Sequence, residues 1–307
     1  PLITGHEGAG IVEAVGAKVT GVEVGDHVLL SYASCGHCRA CLRHEPYYCE
    51  RFMELNFIGA DQKMPCGHDA DGQRVGTNWF GQSAFATHSL VNARSAVVID
   101  KSLPLAELCA MGCGVQTGAG TVMNVFKMSA GQSLVVFGTG TVGLSAVMAA
   151  KAAGAAAIAV VDLHDNRLAL ASELGATLCF KAGSEQLGTG ILAALPGGAD
   201  YALDTSGRPD VIPVALSLLR LGGVCAQVGG GAENLTVPPH LLNGRVLTRI
   251  VEGNSDPQVF IPRLIELWRD GSLPLGKLMR SFSLAEINEA EQSSLNGAVV
   301  KPVIVLA

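Results

Sequence analysis

The chain has 307 residues, 49% of them hydrophobic and 16% charged, which argues against disorder and gives room for more than one domain with a real core. A net charge of −6, without any run of Lys or Arg, argues against a phosphate-backbone binder. No apolar stretch reaches the ~18 residues of a membrane span, because the most apolar segment, VGLSAVMAAKAAGAAAIAVV, is interrupted by Lys151 and Gly154. No signal peptide is visible, and Pro1 in place of Met reads as a start inside a longer chain. Nine cysteines in a chain of this size read as metal ligands and reduced thiols rather than a disulfide scaffold, which points to the cytoplasm.

Residues 5–30, GHEGAGIVEAVGAKVTGVEVGDHVLL, set short Val/Ile runs between glycine-containing turns and predict a β-meander or a piece of barrel. The next segment, CGHCRACLRHEPYYC (35–49), spaces Cys35, Cys38, Cys41 and Cys49 as C-x2-C-x2-C-x7-C. Four thiolates close a tetrahedron around Zn²⁺ and leave no position for substrate, so the cluster reads as a structural clamp. Arg39, Arg43 and Arg51 lie nearby in sequence to offset its negative charge. Unmetallated thiols and an iron–sulfur cluster are the competing readings. A polar, Gly-rich stretch runs on to about residue 78, and FATHSLV (85–91) and SAVVID (95–100) predict further strands.

The texture changes after Cys113. SLVVF, AIAVVD, TLCF, ADYALD, GVCAQVG and VLTRIV read as strands, and VGLSAVMAAKAAG, NRLALASELG and DVIPVALSLLR as helices between some of them. Pro213 fits the first turn of the last. Such alternation predicts a parallel sheet with helices on both faces. A helix, QVFIPRLIELWRDG, and a strand, VVKPVIVLA, close the chain as a tail returning to the β-rich part.

Gly138, Gly140 and Gly143 form G-x-G-x-x-G between a strand and a helix, and Asp162 ends the next strand 19 residues after Gly143. That context predicts a dinucleotide site: glycines for the turn and the approach of pyrophosphate, helix N–H groups for the anion, and Asp162 for the adenosine ribose, favouring NAD over NADP. A turn of packing glycines with an ordinary strand-end acid is the alternative. Arg167 reads equally as an adenosine-end residue or a solvated helix residue. His6, Glu7 and Cys113 offer an imidazole, a carboxylate and a thiol, the donors of an open zinc site. Spacing alone does not establish this, and Cys109 is as good a thiol by that standard.

The order GHEGAG, GDHV, CGHCRACLRHEPYYC, GCGVQTGAG, GTGTVG, VVD resembles the zinc-dependent medium-chain alcohol dehydrogenases along the whole chain. NWFGQSAFATHSLV and EGNSDPQVFIPRLIELWRDGSLP are similar to the bacterial aryl-alcohol (benzyl alcohol) dehydrogenases. The resemblance implies an α/β protein: a β-rich GroES-like catalytic domain over 1–113, incomplete at its N-terminus, a doubly wound Rossmann domain over 114–251, and a return segment over 252–307. It places His6 and Cys113 at catalytic-zinc ligand positions and Glu7 at an acid that can exchange onto the metal, leaving Cys109 to packing. Thr117 and Lys301 match positions along the nicotinamide and pyrophosphate. Trp79 and Phe80 match a wall of the substrate pocket, with core packing as the other reading.

The implied activity is reversible, NAD-dependent oxidation of a primary aromatic or allylic alcohol, such as benzyl alcohol, to the aldehyde, with a structural and a catalytic zinc. The implied partners are a small-molecule alcohol or aldehyde and further copies of the chain, as a homodimer or homotetramer paired through VLTRIV, with no nucleic acid or membrane. Another alcohol class, or an impaired zinc and NAD binder, are the alternatives. In the family further residues precede the position of Pro1, among them a cysteine ligand, a hydroxyl that takes the alcohol proton and often a relay histidine. The expectation is therefore either a fragment of an active enzyme or an impaired one.

Overall fold

The structure is a computed structural model and describes residues 1–57, 66–230 and 233–306. Strands β1 (Ala9–Ile11) and β2 (His27–Leu30) pair antiparallel. Helix α1 (Arg39–Leu42) lies inside the cysteine-rich loop and α2 (Phe52–Phe57) follows it. A hairpin of β3 (Cys66–His68) and β4 (Arg74–Gly76) leads to β5 (Ala96–Ile99), which completes a sheet of order β1-β2-β5. Part of the polar stretch that follows the cysteines, residues 58–65, lies outside the described residues. The two-residue period of β2 serves two cores: Leu29 joins Val97 and Met111 on one face, while Val28 and Leu30 pack with Ala96 on the other.

The predicted strand at 85–91 does not form. Its start is tied down, since the N–H groups of Ala84 and Phe85 donate to the carbonyls of Gly5 (2.8 Å) and Thr4 (3.0 Å). Beyond Phe85 the segment has no ladder partner among the described residues, and side-chain alternation without interstrand hydrogen bonds does not make a strand.

Two short helices, α3 (Leu105–Leu108) and α4 (Gly114–Gly120), lead out of the β-rich part. Helix α4 has the sequence GVQTGAG, and the pattern reading missed it, because glycine costs a helix about 1 kcal/mol relative to alanine. Here the glycines answer to packing, and every residue of α4 is buried. A Cβ on Gly118 would lie 2.0 Å from the carbonyl oxygen of Val142. One on Gly120 would lie 2.6 Å from that of Gly253.

The alternating half follows as β6 (Ser133–Phe137), α5 (Thr141–Ala152), β7 (Ala157–Asp162), α6 (Asp165–Leu174), β8 (Leu178–Lys181), α7 (Leu187–Ala194), β9 (Ala199–Asp204), α8 (Val211–Ser217), β10 (Leu219–Gln227) and β11 (Val246–Arg249). All six strands run parallel in the order β11-β10-β9-β6-β7-β8. Strands β6 and β7 are buried along nearly their whole length, as strands covered on both faces must be. The order reverses between β6 and β9. The carboxyl ends at this switch point, marked by Phe137 and Asp204, are where open α/β sheets bind ligands. Helix α7, LGTGILAA, was also missed in the sequence, its two glycines hiding a short apolar face on Ile191.

The chain then runs into its tail. Helix α9 (Pro257–Arg269) is capped by Asp256, whose carboxylate accepts from the N–H of Gln258. It buries Phe260, Ile261, Leu264 and Ile265 in the main core, each side chain contributing about 1.5–3 kcal/mol. The Gln258 amide reaches across to the β-rich part and donates to the carbonyls of Arg94 (3.1 Å) and Ala96 (2.9 Å). Strand β12 (Met279–Ser283), helix α10 (Ile287–Leu295) and strand β13 (Lys301–Val305) end the described chain, with β12 and β13 parallel.

Candidate active site

The three glycines of the turn between β6 and α5 do three different things. Gly138 has φ +89°, a left-handed conformation that its lack of a Cβ permits. Gly140 is the N-cap of α5, and a Cβ there would meet nothing within 4 Å, so the helix start is open to an incoming group. Gly143 lets helix and strand touch, since its Cβ would fall 1.9 Å from the Gly138 carbonyl oxygen. This is the cradle that pyrophosphate requires. Gly143→Ala is expected to cost about 1–3 kcal/mol of stability through overpacking and to weaken dinucleotide binding, as read by thermal melting and NAD titration.

Asp162 is buried at the end of β7, and its carboxylate already accepts three internal hydrogen bonds. They come from the N–H and hydroxyl of Thr139 (both 2.7 Å) and the N–H of His164 (2.9 Å). Burial opposes the anion, but these donors outweigh it and hold the carboxyl below its ordinary range. Asp162 thus pins the glycine turn, and its Oδ1, which accepts only one of the three, keeps an acceptor position for a ribose hydroxyl. Arg167 is no free helix residue. It donates through Nη2 to the Ser294 carbonyl (3.2 Å), and its buried Nε has no partner among the described residues.

Among the described residues, the sulfurs of Cys35, Cys38, Cys41 and Cys49 form a group of donors all within 4.8 Å of one another. Two edges of the group measure 3.9 and 4.0 Å. A tetrahedron with Zn–S bonds of ~2.3 Å has edges of about 3.8 Å, so the cage matches one zinc ion and is too small for an iron–sulfur cube. Amide N–H groups of Cys35 and Cys38 donate to the sulfurs of Cys49 and Cys35 (both 3.3 Å). Of the neighbouring arginines, Arg43 pairs with Glu45; Arg51 pairs with Glu54 and also feels the charges of Cys35 and Cys49; and Arg94, distant in sequence, lies over Gly36, whose Cβ would be 2.8 Å from its Nε.

His6, Glu7 and Cys113 come from opposite ends of the β-rich part and meet through Glu7. One oxygen of Glu7 accepts from the N–H of Gly114, next to Cys113, at 2.8 Å. The other forms an ion pair with Lys301 of β13. His6, Glu7, Trp79, Thr141 and Lys301 line one cleft of about 1370 Å³. The three expected ligands do not close into a group of donors as tight as the cysteine cage.

Burial, and next the Lys301 charge, lower the His6 imidazole to about 4, so it is neutral at pH 7 with a lone pair free. An unfolded imidazole takes its proton near 6.5, and the folded one refuses it until about 4. The stability this contributes is complete above pH 6.5 and is lost as pH falls toward 4. His6→Gln is expected to flatten that part of the pH–stability curve, read as the difference from wild type in thermal melts across the window. Burial likewise pulls the Lys301 ammonium down to about 8.

The aromatic pair Trp79 and Phe80 belongs to a larger cluster. The His6 ring lies 4.5 Å from that of Phe80, and Phe57 packs edge-on against both Phe80 (4.9 Å) and Trp79 (5.6 Å). Phe80 holds φ +52°, a strained conformation for an aromatic residue. Three contributors were not read from the sequence: Phe57, Gln116 and Glu252. The carboxylate of Glu252 is buried, with Oε1 3.5 Å from the sulfur of Cys113 and Oε2 accepting from Gln116 Nε2 at 3.0 Å. Thr117 places its hydroxyl 3.5 Å from the same Oε2. Burial raises Glu252 to about 7 and holds the Cys113 thiol well above its ordinary value. No spacing rule pairs residues 113 and 252; only the fold does.

Comparison with known proteins gives one answer from three directions. Residues 1–101 match the alcohol dehydrogenase GroES-like domain, and residues 141–267 match the zinc-binding dehydrogenase domain. Geraniol dehydrogenase of Castellaniella defragrans is 42% identical over 99% of this chain and 83% of its own length. The chain belongs to the zinc-dependent alcohol dehydrogenases. Two solved structures share its fold. The alcohol dehydrogenase zinc-binding domain protein of Burkholderia ambifaria superposes with a TM-score of 0.96 at 40% identity, covering 100% of this chain and 84% of that one. Benzyl alcohol dehydrogenase of Acinetobacter calcoaceticus does so with a TM-score of 0.93 at 37% identity, with the same coverage.

Zinc and NAD are the cofactors of this dehydrogenase family, and the residues present fit both. The cysteine cage has the size of a zinc tetrahedron, and the open N-cap at Gly140 has the room that pyrophosphate needs. Beside the half-buried thiol of Cys113 lies the buried carboxyl of Glu252, a pair of groups that disfavours its own anions. Among the described residues no helix is long and apolar enough to cross a membrane.

Proposed function

We propose that the chain oxidises a primary aromatic or allylic alcohol to the aldehyde, reversibly, with NAD. The observation that carries this reading is the Glu7 bridge. It ties the segment bearing His6, which lines the cleft, to Gly114, the neighbour of Cys113, and to Lys301, which lines the same cleft. His6 and Cys113 would hold the catalytic zinc, with Glu7 beside it, while Gly138, Gly140, Gly143, Thr117, Asp162, Arg167 and Lys301 would hold NAD. Bound there, zinc would supply a Lewis acid toward the alcohol oxygen and NAD a hydride acceptor.

The chain's own residues prepare that step. Neutral His6 offers a lone pair at physiological pH. Glu7 fixes the segment bearing His6 against the one bearing Cys113. Lys301 sets positive charge where a pyrophosphate would lie. The rings of Phe80, Trp79 and Phe57 form an apolar wall that excludes water and accepts a flat substrate. Two of the relatives are a geraniol and a benzyl alcohol dehydrogenase. Both of those alcohols carry their carbinol carbon next to a π system, which suits such a wall.

Steady-state NADH formation by the protein as encoded tests this with benzyl alcohol, geraniol and hexan-1-ol. The expected kcat/KM for the first two exceeds that for hexan-1-ol at least tenfold; equal values, or no turnover with any of them, would reject the aromatic or allylic assignment. A second reading, a zinc and nucleotide binder without turnover, is favoured by one observation, the failure of His6, Glu7 and Cys113 to close into a tight donor group. One zinc per chain with NAD bound and no activity would support it.

We place the catalytic part at 1–113 with a return over 252–307, the nucleotide domain at 114–251, and the protein in the cytoplasm, where free thiols persist. Strand β11 is an edge of the sheet, and Val246 is exposed on it. Pairing of two such edges is our reading of a homodimer or homotetramer.

A further inference from the structure

Gln82 is wholly buried, and its side-chain amide reaches the two peptide groups on either side of Glu7. Oε1 accepts from the N–H of Gly8 and Nε2 donates to the carbonyl of His6, both at 2.9 Å. One side chain thus pairs with this segment as a residue of a neighbouring strand would. Gly8 admits it, since a Cβ there would lie 3.0 Å from Gln82 Oε1 and 2.9 Å from the Cβ of Ala84.

The same Nε2 donates to the Ser31 carbonyl at 3.3 Å, and the Ser31 hydroxyl donates to the Gly112 carbonyl at 2.6 Å. Gly112 precedes Cys113 and Gly114 follows it. The segment bearing His6 is therefore tied to both neighbours of Cys113. The Glu7 carboxylate reaches Gly114, while Gln82 and Ser31 together reach Gly112.

The backbone bends sharply to bring the amide there. Phe80, Gly81 and Ser83 are left-handed, with φ +52°, +67° and +49°. For Phe and Ser this conformation is strained, and such strain persists only where the surroundings over-determine it. The Ser83 hydroxyl braces the bend, accepting from the Trp79 N–H (2.8 Å) and donating to the Ile3 carbonyl (2.7 Å). The bend lays the Phe80 ring against the His6 imidazole and the Gln82 amide against the His6 backbone.

We propose that Gln82 is a positioning residue for the alcohol oxidation, fixing the backbone on both sides of Glu7 and with it the places of His6 and the Glu7 carboxylate. The proposal rests on the reading of His6 and Glu7 as site residues, and its test separates the two. The protein as encoded is compared with Gln82→Met, Gln82→Asn and Ile261→Val. Met keeps the shape of Gln without its donor or acceptor, and Asn keeps both groups one methylene short of their partners. Ile261, buried against the core from α9, is the control for lost stability alone.

Gln82→Met is expected to lower kcat for benzyl alcohol at least tenfold, with KM and the Kd of NADH within about threefold of wild type. In the protein free of zinc and NAD, hydrogen exchange should rise at Gly8, which loses its acceptor, and also at Gly114, which Glu7 holds. Gln82→Asn should fall between Met and wild type. Ile261→Val should lower the melting temperature while leaving kcat and both amides within about twofold of wild type. If the Met variant does not fold, the Asn variant decides. Wild-type kcat in both Gln82 variants, a rise in KM alone, a kcat loss matched by Ile261→Val, or faster exchange confined to Gly8 would overturn the role of Gln82 and leave the alcohol oxidation standing. A wild type without turnover on any alcohol would remove that reading and this proposal with it.

Discussion

Cys113→Ala is expected to lower kcat/KM for benzyl alcohol by at least about 10³-fold while leaving the fold intact. Such a loss corresponds to about 4 kcal/mol of transition-state stabilisation, within reach of what a Lewis acid supplies at a dry site. The half-buried sulfur lies 3.5 Å from Glu252, and its removal leaves only a small void at the start of α4. The control is Cys109→Ala. That thiol is buried, is pushed up to about 11 by its burial, and donates to the Ala106 carbonyl (3.4 Å). Its loss should cost about 1 kcal/mol of stability and leave kcat/KM within a fewfold of wild type. Steady-state kinetics and thermal melts on the pair decide which cysteine carries the chemistry. Equal losses in both, or none in Cys113→Ala, would contradict the assignment.

Cys49→Ser is expected to release the structural zinc and melt the lobe around it. Four thiolates around zinc supply about 10–16 kcal/mol of binding free energy in small zinc domains, far more than a lobe with helices of 4 and 6 residues gains from its own packing. The lobe is joined to the β-rich sheet by Asn56, whose amide exchanges hydrogen bonds with the backbone of Ala33 (2.8 and 2.9 Å). It also presents Phe57 to the aromatic wall. Turnover of aromatic alcohols should therefore fall, whereas the dinucleotide site, built on a different sheet, should still bind NADH. Hydrogen exchange should rise sharply over 35–57 and stay unchanged over β6 and β7. Unchanged exchange in the lobe would show that the cysteines do not hold it together.

Much of this was legible because local rules sufficed. The strands from β6 to β11 are short apolar runs bounded by glycine or acid. The glycine turn is read from three residues and its flanks, and the cysteine cage from fifteen consecutive positions. The failures share one cause. Helix α4 looked like a loop because its glycines serve contacts with α5 and with residue 253, which no local pattern contains. The segment 85–91 looked like a strand because alternation says nothing about whether a partner is present. Arg43 looked like a counter-ion of the cage until Glu45 took it. Glu252 and Gln116 were invisible as site residues because each matters only through the other element that the fold lays against it. That His6 and Cys113 share a site was an expectation from family likeness, while the Glu7–Gly114 bond that joins their segments was not legible.

The most direct measurement is anomalous diffraction at the zinc absorption edge, on crystals of the protein as encoded grown with NAD. Two peaks per chain are expected. One should lie among the sulfurs of Cys35, Cys38, Cys41 and Cys49. The other should touch both the imidazole of His6 and the sulfur of Cys113, beside the nicotinamide. A single peak at the four cysteines, with the cofactor in place and the space between residues 6 and 113 empty of metal, would contradict the proposed alcohol oxidation at its root.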